Sequence, residues 1–242
     1  MKIALFATCV TEGLYPDTGK AVVSVLEGLG HEVIFPAQQT CCGQMHFNSG
    51  YQREGFHLAR RFLRTFNSFD VVVSPSASCV GTVRDLYARA ARTVGTPMLQ
   101  SDFESLAARV FEFSEFLTEV AMVTDVGARF PHKVAYHPTC HSVRVLGLRD
   151  GPRVLLSNVS DLTLVDFQHE EQCCGFGGTF SLKNSETSLA IGTDKFNQVM
   201  DSSADVLCAV DNSCLTHLGG IATRRRSSLR VLHLAEILAS RK

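Results

Sequence analysis

The chain contains two copies of one unit, and this repeat limits its possible folds more than any other feature. The segment Lys2-Ile-Ala-Leu-Phe-Ala-Thr-Cys9 matches Lys133-Val-Ala-Tyr-His-Pro-Thr-Cys140, and the segment 70–79 matches 205–214. The spacing between matching segments is nearly constant, which is the signature of a duplicated structural unit. The fold of the first copy should therefore recur in the second.

The length of the chain agrees with two domains. The 242 residues could form one large domain or two of about 120 residues, a size at which each can bury its own core. The repeat decides for two, which we place at residues 1–125 (copy one) and residues 132–242 (copy two). A segment with Gly127 and Pro131 links them.

Cysteine is the residue type that the repeat preserves most clearly. Each copy carries a Cys-Cys-Gly triplet, with one lone cysteine before it and another after it. Eight of the nine cysteines thus form two equivalent sets, and Cys208 is left over. The sets are Cys9, Cys41, Cys42 and Cys79 in copy one, and Cys140, Cys173, Cys174 and Cys214 in copy two.

Short apolar runs alternate with amphipathic segments in both copies, a pattern typical of β-α-β units. The predicted fold is α/β: two tandem pseudo-symmetric units, each with a mainly parallel sheet flanked by helices. A capping box at Ser49 and Gln52 is predicted to start one helix, whose apolar face consists of Phe56, Ala59, Phe62, Leu63 and Phe66. The predicted strands are residues 2–7, 32–35, 70–74, 133–136, 162–167 and 205–210, and the predicted closing helices are residues 103–120 and 230–239.

All eight cysteines of the two sets lie at or beyond the carboxyl ends of predicted strands. That edge is where ligands bind in open α/β sheets. Thiolates select zinc, copper(I) or iron–sulfur clusters, and the spacing here is wider than that of structural zinc knuckles. We predict that both sets bind a cofactor and favour an iron–sulfur cluster, with zinc and a thiol/disulfide pair as open alternatives.

Charge and hydropathy exclude other classes. A net charge of −1 and a pI near 6.7 provide no basic surface for nucleic acid. No apolar run approaches the roughly 20 residues that span a bilayer. Nine cysteines without an export signal indicate a reducing compartment, so we predict a cytoplasmic location.

The repeated cysteine pattern resembles the cysteine-rich "CCG domain" family, which includes the CCG-containing subunit of heterodisulfide reductase and the iron–sulfur subunit of glycolate oxidase. The resemblance covers essentially the whole chain, and the segments 35–44, 136–140 and 173–181 carry it. It implies an iron–sulfur electron-transfer subunit of a multi-subunit system that oxidises L-lactate to pyruvate. The implied partners are a ferredoxin-like iron–sulfur subunit and a third subunit, so the chain would be an oxidoreductase subunit without complete activity alone.

The sequence departs from that family at one position in each copy. In the heterodisulfide reductase relatives a closing C-x-x-C completes five cysteine ligands for a non-cubane [4Fe-4S] cluster. Ser76 and Asp211 replace the first cysteine of that closing pair, leaving four thiolates per site. A [4Fe-4S] cubane, or zinc in one copy, is compatible with four. We interpret Asp211 as a turn residue in preference to an oxygen ligand.

Alternative functions within this chemistry are a thiol/disulfide redox subunit and a zinc-stabilised, non-catalytic scaffold of a redox complex. His137 and His141 flank Cys140 and could bind metal, but copy one has no histidine at either position, which favours structural roles. Cys208 lies within a predicted strand and is interpreted as a buried apolar residue.

Overall fold

The computed structural model of the protein describes residues 1–241. Copy one contains β1 (Lys2–Leu5), α1 (Cys9–Leu14), α2 (Pro16–Gly28), β2 (Glu32–Ile34), α3 (Gln44–Asn48), α4 (Gln52–Phe66), β3 (Val72–Ser74), α5 (Ala77–Gly81), a π-helical turn (Thr82–Leu86), α6 (Tyr87–Val94), α7 (Pro97–Ala107), β4 (Val110–Glu112), α8 (Phe113–Glu115) and a second π-helical turn (Phe116–Val120). Copy two contains β5 (Lys133–His137), a π-helical turn (Ser142–Leu146), α9 (Gly151–Ser157), β6 (Thr163–Val165), α10 (Phe180–Lys183), α11 (Ser185–Asp201), β7 (Val206–Ala209), α12 (Asn212–Arg224), β8 (Arg230–His233) and α13 (Leu234–Leu238).

Each copy forms one four-stranded sheet in which all neighbouring strands are parallel. The strand order is β2-β1-β3-β4 in copy one and β6-β5-β7-β8 in copy two, so the topology repeats. Parallel neighbours put the carboxyl ends of all strands in a sheet at one edge. The predicted fold class of two α/β units with parallel sheets is confirmed.

The six predicted strands are present, with ends shifted by one or two residues, but the closing helices are wrong. Each closing segment contains a fourth strand, β4 or β8, followed by a short helix. The apolar residues of each closing segment recur at a spacing that fits a helix, and the short helix after each strand continues that pattern. Pairing of β4 with β3, and of β8 with β7, determines that these residues form strands.

The predicted capping box at Ser49 is also wrong. Helix α4 begins after Tyr51, whose side chain makes no capping hydrogen bond. Ser49 instead ends α3, and its Oγ lies 2.9 Å from Thr179 Oγ1 of copy two. The predicted apolar face of α4 is buried, with Ala59 and Phe66 fully inaccessible.

The two faces of each sheet pack differently. Ala4 of β1 and Phe6, which follows that strand, face a cluster within copy one, and Ala135 and Leu207 face a cluster within copy two. The opposite faces, with Ile3 and Val134, join one cluster that contains residues of both copies and of helices α2, α9 and α13. Each copy therefore has a private core on one face and a shared core on the other. No helix within residues 1–241 combines the length and apolar character that crossing a bilayer requires.

Candidate metal centres

The structure brings the four cysteines of copy one together at the carboxyl edge of its sheet; we call this group site one. Cys9 is the first residue of α1, the element that follows β1, and Cys79 lies in α5 after β3. Cys41 and Cys42 lie in the loop between β2 and α3. The Sγ atoms of Cys9 and Cys41 are 3.6 Å apart, and those of Cys42 and Cys79 are 3.3 Å apart. Cys41 and Cys42 are adjacent in sequence, so the chain itself connects the two pairs.

The cysteines of copy two form site two in the same way. Cys140 follows β5, Cys214 lies in α12 after β7, and the Cys173-Cys174 pair occupies the loop between β6 and α10. The Sγ atoms of Cys174 and Cys214 are 3.1 Å apart, and Cys140 and Cys173 line the same cavity as these two residues. Parallel topology gathers side chains that are distant in sequence, because every strand delivers its following loop to the same edge.

The glycine of each Cys-Cys-Gly triplet has a local structural reason. Gly43 and Gly175 have positive φ angles of 82° and 89°, which other L-residues rarely adopt. This conformation directs the backbone N–H of Gly43 to Cys41 Sγ, and that of Gly175 to Cys173 Sγ, at 3.3 Å in each case. The first cysteine of each pair thus receives a backbone hydrogen bond that favours its thiolate form.

The sulfur atoms in each site have strongly different proton affinities. Hydrogen bonds from Cys42 and Cys9 hold the pKa of Cys41 well below its ordinary value, and those from Cys140 and Cys174 do the same for Cys173. The thiols that donate these bonds have raised pKa values, since losing the proton would break the bond and leave a partly or fully buried charge. The first cysteine of each Cys-Cys pair therefore favours the thiolate form, and metal binding would have to displace protons from the thiols whose pKa is raised.

Ser76 and Asp211, which occupy equivalent positions in the two copies, contact each other. They form an antiparallel bridge between copies, and Asp211 Oδ2 accepts hydrogen bonds from Ser76 Oγ at 3.2 Å and from Ser78 N at 2.9 Å. Oδ1 accepts from the backbone N and Oγ of Ser213. Both carboxylate oxygens are engaged and the residue is 2% exposed, so Asp211 is a helix cap and an inter-copy contact.

A contact between equivalent residues of a repeat places a pseudo-two-fold axis at that point, with one cysteine site on each side. The cavity beside site one has a volume of about 70 Å³ and that beside site two about 180 Å³. Both are lined by Gln44, Ser78, Phe176, Gly178, Asp211 and Ser213. The two sites are neighbours that share a wall.

Four cysteine donors suit soft metals at either site. A tetrahedral ion with metal–sulfur bonds of about 2.3 Å has sulfur atoms about 3.8 Å apart. Three of the sulfur–sulfur contacts, at 3.1 to 3.6 Å, are close to that value. Among the described residues, however, no three cysteine sulfurs of either site all lie within 4.8 Å of one another. Side chains would therefore have to move to bind either a single ion or a polynuclear cluster through all four cysteines, and the donor set fits both.

Histidines near the sites have different environments. His137 is fully buried at the end of β5, and one of its ring nitrogens lies within 4.8 Å of Cys174 Sγ and Cys214 Sγ. Burial and the Lys195 ammonium lower the pKa of His137 to about 4, so its ring is neutral. His141 Nε2 lies 3.0 Å from Gln44 Nε2, and this contact joins copy two to copy one. His217 Nε2 lies 3.2 Å from the Ser188 carbonyl oxygen.

Sequence reasoning missed Lys195 and Gln44. Lys195 is inaccessible to solvent, and burial lowers its pKa to about 8 although Cys174 and Cys140 act in the opposite direction. The signal was available: Lys195 falls on the apolar face of α11, where a lysine is unusual. No sequence pattern points to Gln44, because its contact with His141 depends on how the two copies pack. Cys208 is fully buried in the shared core, as predicted.

Comparison with known proteins assigns the chain to a family. A family model described as "Cysteine-rich domain" (CCG) matches residues 3–84 and 134–219. The chain therefore belongs to the CCG cysteine-rich domain family, as the cysteine pattern predicted. Both matched segments contain a complete set of four cysteines.

Individual relatives define the similarity more narrowly. The chain is 42% identical over 238 residues to lactate utilization protein A of an Exiguobacterium species, covering 98% of this chain and 96% of the relative. It is 41% identical over 238 residues, with the same coverage, to the protein of that name from Oceanobacillus iheyensis. Identity to the Geobacillus protein of that name is 40% over 241 residues, covering 100% of both. A solved ABC transporter solute-binding protein from Conexibacter woesei aligns over 95% of this chain and 69% of its own, with 15% identity and a TM-score of 0.26, too low to inform on fold or function.

Proposed function

We propose that the chain is an iron–sulfur electron-transfer subunit of a multi-subunit system that oxidises L-lactate to pyruvate. The proposal extends to this chain the process named in its relatives, lactate utilization protein A. Sites one and two are the proposed binding sites, and [4Fe-4S] clusters are the proposed cofactors. The ferredoxin-like iron–sulfur subunit and the third subunit are the proposed partners.

The observation that supports this function most is the shared wall between the two sites. A structural metal site stabilises the loops that it joins and gains nothing from a second centre beside it. Electron transfer does gain, because two adjacent centres can pass electrons between them. Iron–sulfur clusters bound there would supply one-electron redox chemistry.

The residues of the chain have definable roles in this proposal. The eight thiolates would hold the metal, and the N–H groups of Gly43 and Gly175 would stabilise the charge on two of them. Cys9 is exposed and Cys140 partly exposed, so each site has one sulfur that a partner subunit could approach. Asp211 would keep the two sites adjacent by fixing the loops on the pseudo-two-fold axis.

The test is anaerobic purification followed by iron, acid-labile sulfide and zinc analysis. We expect brown protein with iron and sulfide at about four per site. Cys41→Ser and Cys173→Ser should each lower both contents by about half, because each removes a ligand from one site. Cys208→Ala should leave them unchanged, since Cys208 is in the shared core.

Two alternatives give different results in the same experiment. A zinc-stabilised scaffold is the second candidate, because zinc uses the same cysteine donors, and it predicts colourless protein with stoichiometric zinc. Turnover of a disulfide substrate by the brown protein would instead indicate a thiol/disulfide redox subunit. Colourless protein without iron, with or without zinc, would refute the electron-transfer proposal.

A further inference from the structure

The two sites differ in the buried side chains next to the cysteines. His137 is fully buried in copy two, and its Nε2 atom has no hydrogen-bond partner. One ring nitrogen of His137, Cys174 Sγ and Cys214 Sγ all lie within 4.8 Å of one another. An unpartnered buried nitrogen is costly unless another group satisfies it.

The tautomer of His137 follows from its other contact. Nδ1 lies 3.4 Å from the carbonyl oxygen of Glu170. A carbonyl oxygen only accepts hydrogen bonds, so Nδ1 must carry the proton in this contact. In a neutral ring Nε2 then has a free lone pair and cannot donate to a thiolate. Histidines that bind metals commonly have this arrangement, with the far nitrogen bound to a carbonyl group.

Lys195 holds the carbonyl groups that orient the ring. Its Nζ donates to the carbonyl oxygen of His169 at 2.7 Å and to that of Glu170 at 2.9 Å. The Glu170 oxygen is therefore shared by Lys195 and His137. A buried ammonium group next to the thiols also offsets the negative charge that four thiolates would place at site two.

Copy one has hydrocarbon at both equivalent positions. Phe6 occupies the place of His137 in the repeat, and Phe62 of α4 that of Lys195 of α11. The two rings pack edge to face with centroids 4.9 Å apart. In copy two the polar residues His137 and Lys195 thus take the positions that two phenylalanines have in copy one. If His137 and Lys195 only filled the core, copy one shows that phenylalanine would be sufficient.

We propose that His137 Nε2 is a nitrogen donor to the metal centre at site two, alongside Cys174 and Cys214, and that site one is bound by sulfur alone. The inference rests on the proposal that the cysteine sites bind metal. It makes the two centres chemically different, with a mixed nitrogen and sulfur set only in copy two. Lys195 is a positioning residue, since it acts through the Glu170 carbonyl.

Cobalt(II) is the probe for this inference, because it is paramagnetic and suits a site of nitrogen and sulfur donors. Apo protein labelled with [15N]histidine is loaded with Co²⁺ anaerobically and examined by electron–nuclear double resonance. We expect strong coupling to a histidine 15N in about half of the bound cobalt. His137→Phe, which copies the residue of site one, should abolish this coupling and weaken Co²⁺ binding at site two by at least about 10–100-fold.

His46→Gln is the matched control, since His46 is the histidine nearest in sequence to the Cys41-Cys42 pair and its Nδ1 is also buried without a partner. This variant should retain the coupling. Cobalt bound at both sites without histidine coupling, or coupling that persists in His137→Phe, would overturn the inference and leave the iron and sulfide result intact. Failure of Co²⁺ to bind either site would overturn it together with the metal-binding proposal. If His137→Phe does not fold, the presence or absence of histidine 15N coupling in the labelled wild-type protein still tests the inference.

Discussion

At the residue scale, the two glycines of the Cys-Cys-Gly triplets have the same backbone conformation but different surroundings. A Cβ atom at Gly175 would lie 2.5 Å from the Ser188 carbonyl oxygen, which is backbone of α11 and cannot easily move. A Cβ atom at Gly43 would meet Leu58 Cδ1 at 3.3 Å, and a leucine side chain can adjust. The repeated motif therefore tolerates substitution differently in its two copies.

We predict that Gly175→Ala destabilises the apo protein more than Gly43→Ala does. Both changes incur about 1–2 kcal/mol for an L-residue at positive φ. Only the first adds a backbone clash, and displacing α11 should also disturb the N–H bond to Cys173 Sγ. Gly147→Ala is the control, since Gly147 has φ 73° with open space around it and isolates the conformational cost. Urea unfolding of the three variants under anaerobic conditions measures the order; equal losses at all three positions would contradict it.

At the element scale, the short helices that follow β4 and β8 are capped by different residues at equivalent positions. Glu112 caps α8 with one carboxylate oxygen, which accepts from Ser114 N at 2.8 Å and from Glu115 N at 3.3 Å. His233 caps α13 through Nδ1, which accepts from Ala235 N at 3.0 Å. Both side chains are fully buried, so burial shifts their pKa values in opposite directions.

Glu112 should make the protein less stable as the pH rises. Burial raises its pKa from 4.5 to about 8 in the folded state, so the folded protein keeps a proton that the unfolded chain loses. Its contribution is complete below pH 4.5 and is lost between pH 4.5 and about 8, at roughly 1.4 kcal/mol per pH unit. The free energy of unfolding of the wild type minus that of Glu112→Gln should fall across this range. A difference that is constant with pH would show that the carboxyl group does not titrate as described.

His233 should have the opposite effect at lower pH. Burial lowers its pKa from 6.5 to about 4, so its contribution is present above pH 6.5 and is lost as the pH falls towards 4. His233→Asn retains a capping residue and removes the titration. The stability difference between the wild type and this variant should therefore shrink as the pH falls from 6.5 to 4, and a difference that grew instead would refute the assignment.

At the scale of the whole molecule, a shared core joins the two copies. Helix α13 of copy two packs against α2 of copy one, and Thr18 Oγ1 of α2 donates to Glu236 Oε1 at 2.5 Å. Ile237 of α13 is fully buried in the cluster that both copies form. The sequence repeat predicted a core for each copy, and this is observed on only one face of each sheet.

Ile237→Ala should therefore destabilise both copies. The cavity is expected to lower the free energy of unfolding by about 2–5 kcal/mol. Hydrogen exchange measured by mass spectrometry should show loss of protection in peptides of α2 as well as α13. Leu218→Ala, in the private cluster of copy two, is the control and should affect copy two most. Wild-type protection of α2 in Ile237→Ala would mean that the copies are energetically independent.

Local sequence was sufficient where the signal was repeated or long. Helix α4 was predicted from its apolar face, and the six predicted strands from apolar runs that recur in both copies. Strands β4 and β8 were missed because the apolar residues of the closing segments also fit the spacing of a helix, and pairing with neighbouring strands decides between the two. The capping box failed at Ser49 because this residue ends one helix and contacts Thr179 in the other copy.

The sequence by itself determined the duplication, the α/β class and the grouping of eight cysteines, since parallel topology carries every strand-end loop to one edge. Only the tertiary structure decided that Ser76 meets Asp211, that the two sites share a wall, and that His137 and Lys195 replace Phe6 and Phe62 beneath site two. The physical reason is that these contacts join segments from different helices, strands and copies. Their energies depend on the packing of the shared core, and no local pattern encodes that packing.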